Sequence, residues 1–190
     1  MHADSWALRA KKLGFRSRAV FKLEEILKKT NSLHSDSLVL DIGSAPGGWS
    51  ELIKAMAPAA SVYAIDLLPM DQVKDVFFFQ EDLINIHKIP EIYSLKLKFD
   101  LVISDLAPNL SGIRAVDEEN IYNLNIETLR TASSYLNGFN GSFIIKTFQN
   151  SLLKKLRTEM EKCFHLVQTY KPAASKSKSG EIYLFGEKPL

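Results

Sequence analysis

The chain has 190 residues, with 24 Lys and Arg, 22 Asp and Glu, a hydrophobic fraction of 46% and one cysteine. This length predicts a single domain, residues 1–190, and the apolar content excludes a disordered, collagen-like or coiled-coil protein. One cysteine excludes an internal disulfide framework, and no apolar run reaches the roughly 18 residues of a membrane-spanning helix. Because a secretory signal pattern is missing, we expect an intracellular protein in the cytoplasm, the nucleus or an organelle such as the mitochondrion.

Apolar patterning predicts alternating strands and helices. Seven short apolar runs predict strands, at 38–42, 61–66, 76–80, 99–105, 141–148, 164–170 and 181–186. Helical spacing of apolar residues predicts four helices, at 17–30, 49–57, 117–136 and 151–163. This alternation indicates an α/β fold with a mostly parallel seven-stranded sheet and helices on both faces. The last two strands lie too close for a helix between them, so we expect an antiparallel edge strand there.

The net charge of +2 hides an uneven distribution along the chain. Residues 1–30 carry eight basic and three acidic residues, and residues 146–190 carry nine and four, so each end has a charge of +5. The segment between them carries −8. If the two basic ends meet in space, they form a positive face suited to a polyanion, whereas solvated lysines on surface helices would give the same count.

Acidic residues stand at four strand ends. Asp41, Asp66, Asp82 and Asp105 each end or directly follow a predicted strand, where α/β sheets bind their ligands. For any single one of them, a helix cap or a turn is the alternative interpretation. Asp66 could accept hydrogen bonds from both hydroxyls of a ribose, and Asp82 could meet an adenine amino group. The pattern therefore favours an adenosine-containing ligand.

The turn at 43–48, GSAPGG, is rich in glycine but is not the dinucleotide fingerprint. Pro46 removes one of the N–H donors that a pyrophosphate would use. A ligand with adenosine but no phosphate fits better, and S-adenosylmethionine carries a cationic sulfonium that suits an acidic centre. The predicted cofactor residues are Asp41, Gly43, Ser44, Ala45, Pro46, Gly47, Gly48, Trp49, Asp66, Leu67, Asp82, Leu83 and Asp105.

Six segments, in order along the chain, resemble the FtsJ/RrmJ-type RNA ribose 2′-O-methyltransferases. They are FRSRAVFKLEEI, LDIGSAPGGWS, IDLLPMD, SDLAPNLSG, FIIKTFQ and KPAASKSKSGEIYL. The resemblance implies a Rossmann-like class I methyltransferase fold, S-adenosylmethionine as methyl donor and a ribose 2′-hydroxyl of RNA as acceptor. It is strongest to the bacterial and organellar enzymes that act on large-subunit ribosomal RNA. By motif position it implies a catalytic set of Lys22, Asp105, Lys146 and Glu181.

The chemistry explains why such residues are needed. A ribose hydroxyl is a poor nucleophile, so it requires a base or a cation that stabilises the developing alkoxide. Lys146 lies inside an apolar strand, and a buried lysine without a function is uncommon. Asp105 could orient Lys146, and Glu181 could hold a lysine or the substrate hydroxyl. Lys22, without the resemblance, would be interpreted as an exposed lysine on a helix.

Basic residues at the two ends are the predicted phosphate contacts for RNA. They are Arg9, Lys11, Lys12, Arg16, Arg18, Lys171, Lys176 and Lys178. We expect residues 1–30 to form a helical extension packed on the domain, and the protein to be a monomer that binds ribosomal RNA or a ribosomal subunit. The four histidines lack metal-ligand spacing, so no metal site is expected.

Three alternatives remain open at the level of sequence. The RNA substrate could be transfer RNA or the mRNA cap. A nicotinamide-dependent oxidoreductase would use a similar sheet, although Pro46 and the missing phosphate fingerprint argue against it. A non-catalytic RNA-binding module is the third alternative, and the presence of all four catalytic candidates argues against it.

Overall fold

The structure is a computed structural model that describes residues 5–175 and 179–190. Seven strands form its sheet: β1 (Leu38–Ile42), β2 (Ser61–Asp66), β3 (Val76–Gln80), β4 (Leu101–Ser104), β5 (Ser142–Phe148), β6 (Phe164–Tyr170) and β7 (Glu181–Pro189). The α-helices are α1 (Ser5–Lys12), α2 (Val20–Thr30), α3 (Gly48–Met56), α4 (Pro90–Tyr93), α5 (Arg114–Tyr135) and α6 (Leu153–Glu161). A 3-10 helix spans Leu83–Lys88. All seven predicted strands and all four predicted helices are present, and α1 was not predicted as a separate helix.

The strand order is β3-β2-β1-β4-β5-β7-β6, and β1 to β5 pair in parallel. The edge strand β6 pairs with β7 in antiparallel fashion, which confirms the predicted mostly parallel sheet with an antiparallel edge. The strand that runs against the other six is β7, which lies between β5 and β6. Only residues 171–180 connect β6 to β7, too few for a crossover helix, so the pair is a hairpin.

Apolar side chains cover both faces of the sheet, because neighbouring residues of a strand point to opposite sides. Val39 packs with the α2 and α3 side chains in one cluster, whereas Leu40 packs with those of α5 and α6 in the other. Both residues are fully buried. Burial of such a side chain contributes about 1.5–3 kcal/mol, so the two clusters fix the strand ends at which the site is built.

The N-terminal helices pack on the rest of the chain. Helix α2 buries the apolar positions that its spacing predicted, among them Leu23 and Ile26. The guanidinium of Arg9 on α1 lies 4.8 Å from the centre of the Phe21 ring on α2. The Ala173 N–H, in the loop before β7, donates to Glu25 of α2 at 2.8 Å. The two basic ends of the chain therefore meet in space. Within the described residues, no helix is long and apolar enough to cross a bilayer.

Candidate active site

A cavity of about 770 Å³ opens at the carboxyl ends of the central strands. Seven of the thirteen predicted cofactor residues line it: Gly43, Ala45, Asp66, Leu67, Asp82, Leu83 and Asp105. They come from the turn after β1 and from the ends of β2, β3 and β4. The structure thus brings together residues that the sequence distributes over four strand ends, as expected for an α/β sheet.

Two glycines shape the turn after β1. Gly43 has φ +78°, and its N–H donates to the Ile65 carbonyl at 2.8 Å. A Cβ at this position would lie 2.5 Å from the Leu106 side chain, so the turn approaches the loop after β4 too closely for any other residue. Gly47 has φ +103° and precedes α3. Both backbone conformations favour glycine, which explains the local sequence.

Asp66 ties this turn to the loop after β2. Its Oδ2 accepts from the Ala45 N–H at 2.9 Å, and its Oδ1 accepts from the Leu68 N–H at 2.8 Å. A carboxylate has about four acceptor positions, so two remain for ribose hydroxyls. Asp82 caps the 3-10 helix by accepting from the Ile84 N–H at 3.1 Å, so the capping interpretation is also correct for that residue.

The other six predicted cofactor residues do not line the cavity: Asp41, Ser44, Pro46, Gly47, Gly48 and Trp49. Trp49 packs in the core, where its indole N–H donates to the Ala19 carbonyl at 3.0 Å. Asp41 lies beneath the turn, fully buried, and accepts from the Ser50 hydroxyl at 2.7 Å. Direct contact of these six residues with the cofactor stays a prediction.

Burial dominates the ionisation of Asp41. It raises the pKa of this carboxyl to about 7, although the hydrogen bond from Ser50 opposes the shift. The nearby charges of Asp105 and Asp66 raise the pKa further. The Oδ1 atom of Asp41 has no hydrogen-bond partner among the described residues. A buried carboxyl in this setting holds its proton up to neutral pH.

The cavity is acidic. The carboxylates that line it belong to Asp66, Glu81, Asp82, Asp105 and Glu127, and no Lys or Arg is among its described lining residues. Apolar walls come from side chains such as Ile42, Leu83 and Leu106. This combination fits a flat adenine ring beside a cationic sulfonium, so the residues present fit S-adenosylmethionine.

Three polar residues of α5 also line the cavity and were missed by the sequence analysis. Asn120, Asn123 and Glu127 stand three and four positions apart, so they share one face of the helix. That spacing was the available signal, but the helix was assigned from its apolar residues alone. Asn109, in the loop before α5, lies at the same side of the cavity.

The four predicted catalytic residues lie together beside this cavity as two ion pairs. The Lys146 Nζ is 3.1 Å from Asp105 Oδ1 and also donates to the Asp105 main-chain carbonyl. The Lys22 Nζ is 2.6 Å from Glu181 Oε1. Lys22 is only 6% exposed, so the interpretation of an exposed helical lysine is wrong. Lys146, within β5, is also largely buried.

Tyr183 joins the two pairs and was not predicted. Its hydroxyl lies 3.3 Å from Asp105 Oδ1 and 3.2 Å from Glu181 Oε1. The residue is fully buried on β7, directly opposite Lys146 in the strand pairing. Burial and the two carboxylates raise its pKa well above the ordinary value, so it remains a hydrogen-bond donor. The signal in the sequence was its position two residues after Glu181, on the same face of a strand.

The two carboxylates of this cluster differ in ionisation. Burial raises the pKa of Asp105, and the ammonium of Lys146 opposes that shift only in part. Burial also acts on Glu181, but Lys22, Lys146 and the Tyr183 hydroxyl together outweigh it and lower the pKa of Glu181. Glu181 is therefore a firmly anionic partner for Lys22, whereas Asp105 is the more easily protonated carboxylate.

The predicted phosphate contacts fall into four groups. Arg9, Lys11, Lys12 and Lys171 are exposed, and Lys171 donates to the Ser179 carbonyl at 2.8 Å. Arg18 is partly buried, while Lys176 and Lys178 lie outside the described residues. Arg16 is engaged within the protein by Glu51 and by three main-chain carbonyls. The role of Arg16 as a phosphate contact stays a prediction.

Solved structures share this fold. A protein described as a ribosomal RNA methyltransferase from Plasmodium falciparum has a TM-score of 0.82 and 32% identity, covering 93% of this chain and 99% of that one. Human methyltransferase-like protein 13, solved with S-adenosylhomocysteine, has a TM-score of 0.64 at 12% identity, covering 87% of this chain and 81% of that one. The second likeness concerns the fold alone. The fold is thus the predicted Rossmann-like class I methyltransferase fold.

Sequence comparison gives the family. Residues 15–188 match the FtsJ-like methyltransferase family. The "Ribosomal RNA large subunit methyltransferase E" of Coxiella burnetii is 39% identical over 95% of this chain and 88% of that protein. The protein of the same name from Acinetobacter baumannii is 38% identical over 97% of this chain and 86% of that protein. The chain belongs to the FtsJ-like methyltransferase family, so the predicted enzyme class, an S-adenosylmethionine-dependent RNA methyltransferase, is confirmed.

Proposed function

We propose that this protein transfers a methyl group from S-adenosylmethionine to a ribose 2′-hydroxyl of large-subunit ribosomal RNA. Two buried lysine–carboxylate contacts beside an acidic cavity support this proposal most strongly. They join Lys146 to Asp105 and Lys22 to Glu181. The names of the relatives support the choice of ribosomal RNA. In this proposal residues 1–190 act as one domain, with residues 1–30 as a helical extension.

The chain's own residues have separate tasks in this reaction. S-adenosylmethionine supplies an electrophilic methyl group on a cationic sulfur. Lys146 Nζ either accepts the proton of the attacking 2′-hydroxyl as the neutral amine or stabilises the negative charge that develops on the 2′-oxygen as the ammonium. Asp105 holds that nitrogen through its carboxylate and its carbonyl. Lys22, fixed by Glu181, supplies a second cation near the same oxygen. Asp66 and the turn after β1 orient the cofactor, because transfer requires the oxygen and the methyl carbon to be in line.

RNA would be held by the basic ends of the chain, which meet at α2 and the loop before β7. Arg9, Lys11, Lys12 and Lys171 are exposed and available for phosphates. Such contacts position a nucleic acid without reading its sequence, and their number sets the salt dependence of binding. The proposed substrate implies an intracellular protein, in any compartment where ribosomes are assembled. We further infer that it acts as a monomer on RNA or on a ribosomal subunit.

Of the alternative functions, only a different RNA substrate still competes with this proposal. Family membership excludes a nicotinamide-dependent oxidoreductase. The intact cluster of Lys22, Asp105, Lys146 and Glu181 argues against a non-catalytic RNA-binding module. Transfer RNA and capped mRNA are competing substrates for the same chemistry.

The test is methyl transfer from labelled S-adenosylmethionine to four separate acceptors: large-subunit RNA, small-subunit RNA, transfer RNA and capped mRNA. Intact large subunits form a fifth arm. We expect incorporation into large-subunit RNA, free or assembled, that disappears with the Lys146→Met variant. Incorporation only into transfer RNA or capped mRNA would overturn the proposed substrate, and no incorporation into any acceptor would overturn the activity.

A further inference from the structure

Arg16 makes an unusually complete set of contacts for a residue in a basic surface segment. Its Nε lies 2.6 Å from Glu51 Oε1, and its main-chain N–H donates to Glu51 Oε2 at 3.2 Å. One terminal nitrogen donates to the carbonyls of Pro46 at 3.0 Å and Asp71 at 2.7 Å. The other donates to the Gln72 carbonyl at 2.8 Å. Four of the five N–H donors of the guanidinium are therefore used, and the side chain is only 25% exposed.

These contacts join three separate segments. Pro46 belongs to the turn after β1, Asp71 and Gln72 belong to the loop after β2, and Glu51 lies in the first turn of α3. Both loops carry residues of the cavity. Ala45 precedes Pro46, and the loop after β2 contributes Leu67 and Leu68. Since Asp66 Oδ2 also accepts from the Ala45 N–H, one contact joins the two loops inside the cavity and Arg16 joins them outside it.

We propose that Arg16 is a positioning residue of the cofactor site, which holds the turn after β1 and the loop after β2 at the spacing that the cofactor needs. The inference rests on the proposed placement of S-adenosylmethionine in the acidic cavity. Arg16 does not line that cavity, so it acts through the main chain of Pro46, Asp71 and Gln72. The N-terminal basic segment is in this way part of the cofactor site as well as of the RNA-binding face.

The geometry explains why arginine is required. A planar guanidinium can serve several acceptors in fixed directions, whereas an ammonium on a flexible stem cannot reach the same set. The turn is adapted to it, because a Cβ on Gly47 would lie 2.9 Å from a terminal nitrogen of Arg16. Gly47 therefore leaves room for the guanidinium and also supplies the left-handed backbone conformation.

The test measures the affinity for S-adenosylhomocysteine, without RNA, by isothermal titration calorimetry for the wild type and the Arg16→Lys variant. Arg157→Lys is the matched control. The guanidinium of Arg157 also contacts a carboxylate, a hydroxyl and a main-chain carbonyl, but these contacts join α6 to β6 and lie outside the proposed cofactor site. Thermal unfolding is recorded for all three proteins. We expect Arg16→Lys to weaken the affinity about tenfold and Arg157→Lys to leave it unchanged, even where both lower the unfolding temperature.

If Arg16→Lys and Arg157→Lys bind S-adenosylhomocysteine with the same affinity, the inference is overturned and the proposed function stays intact. A wild type that binds no S-adenosylhomocysteine would overturn both. Glu51→Gln provides a second route if Arg16→Lys fails to fold, because it retains an acceptor for the guanidinium and removes only the charge. It should weaken the same affinity severalfold, and an unchanged value would again overturn the inference.

RNA binding separates this role from a phosphate contact. With Arg16→Gln, the slope of the logarithm of the RNA binding constant against the logarithm of the salt concentration should stay at the wild-type value. A slope reduced by about one, with unchanged affinity for S-adenosylhomocysteine, would assign Arg16 to a phosphate and overturn the positioning role.

Discussion

The cofactor cavity and the catalytic cluster touch at Asp105, but they are built in different ways. The cavity is formed by short segments at the ends of neighbouring parallel strands, and main-chain N–H groups around Asp66 hold it in shape. The cluster joins a helix near the amino terminus to β5 and to β7, and side-chain ion pairs hold it together. In the proposed function, local chain geometry thus defines the cofactor site, whereas long-range packing defines the site at which the substrate oxygen is activated.

Changes in the cavity and in the cluster should therefore have separable consequences. A change in the cluster should slow the transfer step and spare cofactor affinity. A change in the cavity should weaken cofactor affinity and spare the transfer step at saturating cofactor. Three substitutions, at Lys146, Asp66 and Tyr183, examine this separation, and a fourth, at Asp41, examines the buried carboxyl behind the turn. They are taken in decreasing order of the effect that we expect.

Lys146→Met should have the largest effect, a loss of methyl transfer. The variant keeps most of the alkyl chain but removes the nitrogen that Asp105 holds. We expect the rate of methyl transfer under single-turnover conditions to fall by about 10³-fold, the range lost with a positioned acid–base group. Affinity for S-adenosylhomocysteine should remain within a factor of about two, because the lysine is not among the lining residues of the cavity. A comparable loss in both quantities would contradict the separation.

Asp41→Asn should reveal the cost of the buried carboxyl behind the turn. Burial raises the pKa of Asp41 from its ordinary value of 3.8 to about 7, so the folded chain holds a proton that the unfolded chain has released. Stability must then fall as the pH rises from about 4 to about 7, and it should change little above that. We expect the free energy of unfolding, from urea titration, to drop by about 4 kcal/mol more in the wild type than in the variant between about pH 4 and pH 8.

If the free energy of unfolding changes with pH in the same way in the wild type and in Asp41→Asn, this carboxyl does not take part in the titration. The comparison of the two proteins is needed because other groups titrate as well. Asp105 shifts in the same direction as Asp41, whereas Glu181 shifts in the opposite direction.

Asp66→Asn should weaken cofactor binding in the cavity without slowing the transfer step. The amide keeps one acceptor oxygen, so one of the two contacts with main-chain N–H groups is lost and the charge that favours ribose hydroxyls is removed. We expect affinity for S-adenosylmethionine to fall by roughly tenfold to a hundredfold. The single-turnover rate at saturating cofactor should stay within a factor of about three of the wild type. A slow transfer step at saturation would show that Asp66 also serves the cluster.

Tyr183→Phe should have the smallest effect. The hydroxyl joins Asp105 to Glu181, but each carboxylate keeps its own lysine when the hydroxyl is removed. We expect a reduction in rate of only about two- to fivefold, together with a changed pH profile of the rate, because one neutral donor to both acids is lost. An unchanged profile would show that Tyr183 serves only to pack against Trp49.

The separation also explains what the sequence could predict. Residues of one short turn and of successive strand ends, such as Gly43 and Asp66, were assigned from local pattern alone. Lys22 and Glu181 were assigned only through resemblance, because nothing local brings a residue of α2 to the start of β7. The contacts of Tyr183 and Arg16 could not be predicted for the same reason, since their partners lie on other segments that only the packed structure brings near.

The turn after β1 and the start of α3 illustrate a second limit. A short motif specifies the shape of a turn, but it does not distinguish the face that meets the ligand from the face that packs on the core. Trp49 is the clearest case, since its ring and its N–H both point inward.

The central claim is that Lys146 activates a ribose 2′-oxygen of large-subunit RNA. The most direct measurement is nucleotide-resolved mapping of 2′-O-methylation in unmethylated large-subunit RNA after incubation with S-adenosylmethionine and either the wild type or Lys146→Met. We expect a new 2′-O-methyl group at a defined nucleotide with the wild type and none with the variant. Methylation on a base, or the same 2′-O-methylation with both proteins, would contradict it.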